Sequence, residues 1–295
     1  MKKLSAILAL FLAIFAPLLA APQQTRAPSE RAAVKADHPN TVAVKSNCVE
    51  NGSAKIVAIL PANYEKDADL RYPAVYLLHG YGDNEQKWIT QKPQLQDLAD
   101  KYAIIIICPD GRRSWYWDSV KKPELKYETF ISKELVDYVD SHYRTLKSPK
   151  FRAITGLSMG GHGALWNGLR HPDVFGACGS MSGGVDIRPF PKQWSMEQNL
   201  GPYAENKGVW DAHTVVNLVD SLKPGRSKII IDCGVADFFY KVNQDLHERL
   251  LAKKIPHDYI TRPGGHSWAY WKNAIEYQLL FFHNFFKDNA KTLKK

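Results

Sequence analysis

Cysteine is scarce in this 295-residue sequence, and no two cysteines have the spacing of a zinc ligand pair. The four are Cys48, Cys108, Cys178 and Cys233. Without a CxxC motif a structural zinc site is not expected. Cys108, Cys178 and Cys233 lie in apolar, strand-like runs, and we expect them to be small buried apolar residues, with a disulfide as the alternative that the sequence alone leaves open.

Other cofactor-binding motifs are missing as well. The ten histidines form no zinc motif, because His247-Glu248 is followed by Leu251 where HExxH requires a second histidine. No phosphate-binding GxxxxGK[ST] occurs, and no three-glycine dinucleotide fingerprint follows a strand pattern. We therefore expect no zinc site and no nucleotide site of these kinds.

Extreme compositions are absent too. Glycine (19) and proline (17) are near average usage, which excludes a collagen-like chain. A hydrophobic fraction of 45% excludes an intrinsically disordered one. The net charge of +9 raises nucleic acid as a partner, but no nucleic-acid motif accompanies it, and part of it lies in Lys2, Lys3 and the C-terminal lysines. We expect no nucleic-acid partner.

A long apolar run occurs at the N-terminus. Lys2 and Lys3 precede a largely apolar stretch over 4–19, and Ala20 and Ala21 follow it. This order is typical of a signal peptide; the alternative, a membrane anchor, is disfavoured because the run is short and contains Pro17. We predict a signal peptide over 1–20, a flexible leader over 21–40, one domain over 41–290, and a secreted or periplasmic protein without a stable membrane anchor.

Short apolar runs alternate with helical patterns in the predicted domain. The strand candidates are 41–46, 55–60, 73–78, 103–108, 151–155, 176–181, 228–233 and 257–261. Several are apolar throughout, which is typical of strands buried on both faces of a mostly parallel sheet. Helical patterns over 126–145 and 269–286, and a hairpin signal at 50–52, complete an α/β pattern with eight strands. Residues 184–227 show no clear strand and lengthen one crossover.

Gly156-Leu157-Ser158-Met159-Gly160 matches G-x-S-x-G. A strand precedes it and a helical pattern follows, which is the setting of a nucleophile elbow. The alternative is a glycine-rich turn without chemistry, but this setting favours Ser158 as a nucleophile. The first amides of the following helix would face a developing negative charge.

A nucleophilic serine needs a base, and the base needs an orienting acid. In an α/β-hydrolase the acid follows the seventh strand and the histidine the eighth, which places Asp237 and His266. Asp232 lies within a strand and Asp245 on the next helix, so both are weaker candidates. His162 is interpreted as a packing residue.

Two backbone amides are expected to form an oxyanion hole. Met159 follows the nucleophile, and Tyr81 lies in the glycine-containing loop after the third strand. Trp115, Trp117 and Trp268 follow strands at the same sheet edge and are candidates for stacking on substrate, with packing as an equal alternative. The segment 189–210 is a candidate for a wall of the pocket, again with packing as the alternative.

Several strings resemble one family along most of the predicted domain. They are Tyr76-Leu77-Leu78-His79-Gly80, Cys108-Pro109-Asp110-Gly111, Gly156 to Gly163, Cys233-Gly234 with Asp237-Phe238, and Gly265-His266 with Trp268 and Trp271. The chain resembles the esterase D-like branch of α/β-hydrolases, which includes S-formylglutathione hydrolases, tributyrin esterases, and feruloyl and acetylxylan esterases of carbohydrate esterase family one. The resemblance implies an α/β-hydrolase fold with helices on both faces of the sheet. It also implies the triad Ser158–Asp237–His266, an oxyanion hole at Tyr81 and Met159, and no cofactor.

The resemblance and the N-terminal pattern together predict a secreted serine carboxylic-ester hydrolase acting on feruloyl, acetyl or other acyl esters of plant polysaccharides. Four alternatives stay open. They are a short-chain ester hydrolase, a thioester hydrolase similar to S-formylglutathione hydrolase, an acyltransferase, and a non-catalytic carbohydrate-binding protein. The acyl and alcohol groups and the oligomeric state are not determined by the sequence.

Overall fold

An eight-stranded sheet organises residues 38–292, the part of the chain that this computed structural model describes. The strands are β1 (Thr41–Lys45), β2 (Ser53–Ile59), β3 (Ala74–Leu78), β4 (Ile105–Pro109), β5 (Arg152–Gly156), β6 (Ala177–Met181), β7 (Lys228–Gly234) and β8 (Asp258–Arg262). All eight predicted strands are confirmed, with ends shifted by a few residues. The predicted signal peptide, 1–20, and nearly all of the predicted leader lie outside the described residues.

The strand order is β1-β2-β4-β3-β5-β6-β7-β8. β1 pairs antiparallel with β2, and β2 antiparallel with β4, whereas all pairings from β4 to β8 are parallel. The sheet is therefore mostly parallel, as predicted. The predicted hairpin between β1 and β2 is also confirmed, although its connection is longer than a tight turn: Ser46 N–H bonds Gly52 O, and Asn51 takes a φ of 60°.

Helices fill most of the connections. They are α1 (Lys87–Gln91), α2 (Leu95–Tyr102), α3 (Tyr127–Thr129), α4 (Leu135–His142), α5 (Met159–Arg170), α6 (Glu197–Leu200), α7 (Lys207–Ala212), α8 (Val215–Leu218), α9 (Tyr240–Ala252) and α10 (Trp268–Thr292). A π-helical turn, Phe130–Glu134, joins α3 to α4. Within the described residues no helix has both the length and the hydropathy that a membrane crossing requires.

The helix predicted over 126–145 ends earlier, at His142. Tyr143 is extended, and the chain beyond it pairs with Tyr72, whose N–H bonds Arg144 O at 2.8 Å. A tertiary backbone contact thus overrides the helical pattern. The second predicted helix, 269–286, lies wholly within α10.

Two hydrophobic clusters cover the two faces of the sheet. Because side chains alternate along a strand, Val75 and Leu77 of β3 pack with α1, α2 and α10, whereas Tyr76 and Leu78 pack with α4, α5 and α9 on the other face. Each fully buried aliphatic side chain contributes roughly 1.5–3 kcal/mol. All four cysteines are buried and unpaired, so the disulfide alternative is not found.

Candidate active site

Three parallel strands end at the same edge of the sheet and bring the predicted triad together. Ser158 follows β5, Asp237 follows β7 and His266 follows β8. The three residues are 29 to 108 positions apart in the chain. Their meeting therefore depends on the strand order and not on local sequence.

The turn that carries Ser158 is strained. Its φ of 55° and ψ of −117° lie outside the regions that non-glycine residues favour. Gly156 and Gly160 make the turn possible, because an added Cβ on Gly156 would lie 2.6 Å from Gly160 C and one on Gly160 would lie 2.6 Å from His79 O. The serine is thus held at the point where α5 begins, with its side chain at the sheet edge.

Ser158 and His266 lie in hydrogen-bond contact. The distance from Ser158 Oγ to His266 Nε2 is 2.9 Å, and His266 Nδ1 lies 2.9 Å and 3.1 Å from the two carboxylate oxygens of Asp237. A carboxylate only accepts, so Nδ1 carries the proton and Nε2 is free to accept the serine proton. The Asp237 side chain is fully buried, and Phe239 N–H donates to its Oδ1 at 2.8 Å. This arrangement fixes the tautomer that a general base requires.

The competing residues lie elsewhere. Asp232 points into one face of the sheet, where Arg262 and the Tyr270 hydroxyl bond its carboxylate, and burial raises its pKa. Asp245 is half-exposed on α9 and pairs with Lys241. His162 is fully buried, and its ring bonds Trp117 Nε1 and Gly184 O. Its burial lowers its pKa to about 3, which fits the interpretation as a packing residue.

The two predicted oxyanion amides are available. Within residues 38–292, neither Tyr81 N–H nor Met159 N–H donates to a protein acceptor. Met159 is the first residue of α5, whose dipole places partial positive charge there. The loop that carries Tyr81 lies against the nucleophile, since an added Cβ on Gly80 would lie 3.7 Å from Ser158 Cβ.

Two of the predicted substrate contacts are wrong. Trp115 and Trp117 are each only 1% exposed, and they stack on each other with ring centroids 5.5 Å apart. Trp115 takes a φ of 57°, which turns its side chain into the core, where Trp117 donates to His162. The packing alternative therefore describes both. Trp268 is partly exposed and packs edge-on against Trp88 and Trp271, so its substrate role stays a prediction.

An aromatic surface beside His266 was missed by the sequence reasoning. Phe238 is 52% exposed, lies 4.3 Å from the His266 ring and stacks on Trp194 at 5.8 Å. Its position directly after the candidate acid was the available signal. The segment 189–210 does reach this site, since Trp194 belongs to it and Tyr81 Oη donates to Ser195 Oγ at 2.8 Å. Across the described residues no three metal-ligating side chains converge.

The family profile described as "Putative esterase" matches residues 47–282. The chain belongs to this esterase family. The esterase is a carboxylic-ester hydrolase of the serine type, as the resemblance predicted.

Relatives of known structure or name agree with the assignment. An acetyl esterase of Caldicellulosiruptor saccharolyticus is 29% identical over 75% of this esterase and 89% of its own length. A solved ferulic acid esterase is 28% identical with a TM-score of 0.71, covering 83% of this chain and 97% of that one. S-formylglutathione hydrolase from Staphylococcus aureus shares the fold at 23% identity, with a TM-score of 0.71 over 82% and 97% of the two chains. The predicted α/β-hydrolase fold is confirmed.

Proposed function

We propose that Ser158, His266 and Asp237 hydrolyse carboxylic esters through an acyl-enzyme. The observation that carries the proposal is the continuous hydrogen-bond chain from Ser158 Oγ through the His266 ring to Asp237, with distances of 2.9 Å on each side of the ring. Nucleophile and base within such reach, with the base oriented by a third group, is the arrangement that activates a serine.

Each group has one role in the reaction. His266 Nε2 takes the hydroxyl proton as Ser158 Oγ attacks the ester carbonyl, and Asp237 stabilises the resulting imidazolium. Tyr81 and Met159 N–H hold the oxyanion. The C–O bond to the alcohol then breaks, and the alcohol leaves with the proton from His266. Water repeats the sequence at the acyl carbon, which releases the acid and regenerates Ser158.

We further propose that the acyl group is acetyl or feruloyl and that the alcohol belongs to a plant polysaccharide. The acetyl esterase and the ferulic acid esterase among the relatives support this class. Half of the Phe238 side chain is exposed beside His266 and stacks on Trp194, which offers a planar surface to an aromatic acyl group. In residues 1–20 two lysines are followed by an apolar run, and this order supports export. Export would bring the enzyme to such a polymer.

A substrate panel tests the proposal on the protein without residues 1–20. It compares methyl ferulate, acetylated xylan, methyl butyrate and S-formylglutathione, with Ser158→Ala as the inactive control. We expect the highest kcat/KM on methyl ferulate or acetylated xylan. Preference for S-formylglutathione would contradict the polysaccharide proposal, and equal rates for Ser158→Ala would contradict the nucleophile.

Phe238→Ala tests the aromatic surface. Loss of a stacking contact worth about 0.5–1.5 kcal/mol should lower kcat/KM for methyl ferulate roughly 2- to 10-fold and leave methyl butyrate nearly unchanged. Leu280→Ala, which removes an exposed apolar side chain of α10, is the matched control. Equal losses on both esters would refute a stacking role for Phe238.

A further inference from the structure

The peptide unit between Gly80 and Tyr81 decides where one oxyanion donor points. The described residues contain no cis peptide bond. In a trans unit the C=O and the N–H point in opposite directions from one rigid plane. A contact that fixes the direction of Gly80 O therefore also fixes the direction of Tyr81 N–H, which points the opposite way. Under the proposed function this N–H must face the oxyanion.

The His79 ring holds Gly80 O. His79 Nδ1 lies 2.8 Å from Gly80 O, and the opposite ring nitrogen, Nε2, receives the N–H of Gly111 at 2.8 Å. Because an amide N–H only donates, Nε2 must be the unprotonated nitrogen, and Nδ1 must carry the proton. The Gly111 N–H at Nε2 thus fixes the tautomer of the His79 ring, and Nδ1–H donates to Gly80 O.

One carboxylate faces the same ring. Asp110 Oδ1 lies 3.4 Å from His79 Nε2, farther than the Gly111 N–H, and it also accepts the Arg112 N–H at 2.9 Å. If the proton were on Nε2, two donors would face each other there, Nε2–H and the Gly111 N–H. On the other side of the ring two acceptors, Nδ1 and Gly80 O, would face each other without a proton. A proton on Nδ1 and none on Nε2 satisfies the Gly80 and Gly111 contacts together, and the Asp110 carboxylate takes its donors from Arg112 instead.

Packing keeps His79 in this position. The residue is 1% exposed, and the Tyr116 hydroxyl lies 3.1 Å from both its N–H and its C=O. The Tyr116 ring is seated on Gly111 and Gly163, where an added Cβ would lie 2.1 Å and 2.4 Å from ring carbons. The imidazole therefore has a defined backbone position and little space for another rotamer.

We propose that His79 is a positioning residue that aims Tyr81 N–H at the oxyanion by holding Gly80 O. The inference rests on the proposed ester hydrolysis at Ser158. Losing an oxyanion donor lowers kcat by about 100- to 1,000-fold. Asp83 N–H also donates to Gly80 O, at 3.2 Å, so removing the His79 contact should misdirect the donor only in part. We expect a loss of roughly 10- to 100-fold in kcat.

Two substitutions of His79 test the contacts of its two ring nitrogens separately. An asparagine amide reaches the place of Nδ1 and can still donate to Gly80 O, whereas a glutamine amide reaches the place of Nε2 and can still accept from Gly111. His79→Gln should lower kcat by roughly 10- to 100-fold with KM within about threefold, and should weaken binding of an aryl trifluoromethyl ketone in parallel. His79→Asn should retain at least threefold more kcat than His79→Gln. A purely structural role would not follow this order.

The contrary results are distinct. A folded His79→Gln variant with kcat near wild type, or equal losses in both variants, overturns the positioning role. If His79→Gln does not fold, Tyr116→Phe takes its place, because it removes only the hydroxyl that holds the His79 backbone; kcat must fall at constant KM, and an unchanged kcat overturns the inference. If the wild-type protein hydrolyses no ester, the proposed function itself fails, and the positioning role fails with it.

Discussion

Asp237→Asn should inactivate the enzyme while leaving its shape intact. Asparagine has nearly the same volume as aspartate, and the site is fully buried. The backbone N–H of Phe239 donates to Asp237 Oδ1 at 2.8 Å, so the amide oxygen of the asparagine must occupy that place. The NH2 group then takes the Oδ2 place, which lies 2.9 Å from His266 Nδ1.

The consequence is a reversed tautomer. With a donor facing it, His266 Nδ1 becomes the acceptor, and the ring proton moves to Nε2, the atom that must accept the Ser158 proton. The same exchange in a serine protease triad lowers kcat by about 10⁴-fold. We expect a loss of about 10³- to 10⁴-fold here, which corresponds to roughly 4–5.5 kcal/mol of transition-state stabilisation. KM should change little, since Asp237 lies behind His266 and away from Ser158.

The assay is steady-state hydrolysis of p-nitrophenyl acetate with a thermal melt of each variant. Asp245→Asn is the matched control, because that aspartate is half-exposed on α9 and should keep kcat within about twofold. Asp237→Asn should melt near the wild-type temperature. Retention of more than a tenth of wild-type kcat in a folded Asp237→Asn protein would refute the assignment of the acid and the tautomer argument.

Three further predictions concern stability. Although burial opposes ionisation of Glu128, hydrogen bonds from a histidine and an arginine hold its pKa at about 2, below the 4.5 of a free glutamate. The resulting stabilisation, about 3 kcal/mol, is present above pH 4.5 and lost as the pH falls toward 2. The melting temperature of the wild type should therefore fall more steeply over this pH range than that of Glu128→Gln, and equal slopes would contradict this. Gly163→Ala, whose Cβ would lie 2.4 Å from a Tyr116 ring carbon, should lower the free energy of unfolding by about 1–3 kcal/mol in urea, and an unchanged midpoint would argue against this packing. Trp117→Phe should lower it by about 1–3 kcal/mol, because His162 Nε2 loses its buried donor, and should leave KM unchanged; a raised KM would restore Trp117 as a substrate contact.

The strands and the nucleophile turn were predictable because their sequence signals are local. Apolar runs such as 103–108 mark buried strands, and the glycines around Ser158 mark a turn that tolerates no side chains at those places. Knowing the strand order then places Asp237 and His266 at the correct sheet edge. The triad follows from topology once the nucleophile turn is identified.

The aromatic residues near the site were less predictable. Trp115 and Phe238 both follow strands at the catalytic edge, yet Trp115 is 1% exposed and Phe238 is 52% exposed. The difference depends on the backbone conformation, since Trp115 has a φ of 57°. It also depends on Trp194, which comes from a distant segment of the chain and contacts both Trp115 and Phe238. In an irregular loop the sequence has no periodic pattern that shows which way a side chain points. Stacking on a substrate and packing in the core therefore could not be distinguished for these aromatic residues.

His79 illustrates a second limit. It stands in the Leu-His-Gly string directly before the candidate oxyanion donor, but its two ring contacts are Gly80 and Gly111, and the latter is 32 positions away. The tautomer, and with it the direction of Tyr81 N–H, depends on that distant backbone amide. Only the folded arrangement of the loops after β3 and β4 brings these groups together.

The most direct test of the account is to identify the residue that carries the acyl group. The protein is mixed with p-nitrophenyl acetate, quenched in acid within the first turnover, digested and analysed by mass spectrometry. We predict one acetyl adduct, on the peptide that contains Ser158, and none in Ser158→Ala. An acetyl adduct on another residue would contradict the assignment of the nucleophile. So would a Ser158→Ala variant that hydrolyses the ester at the wild-type rate without forming an adduct.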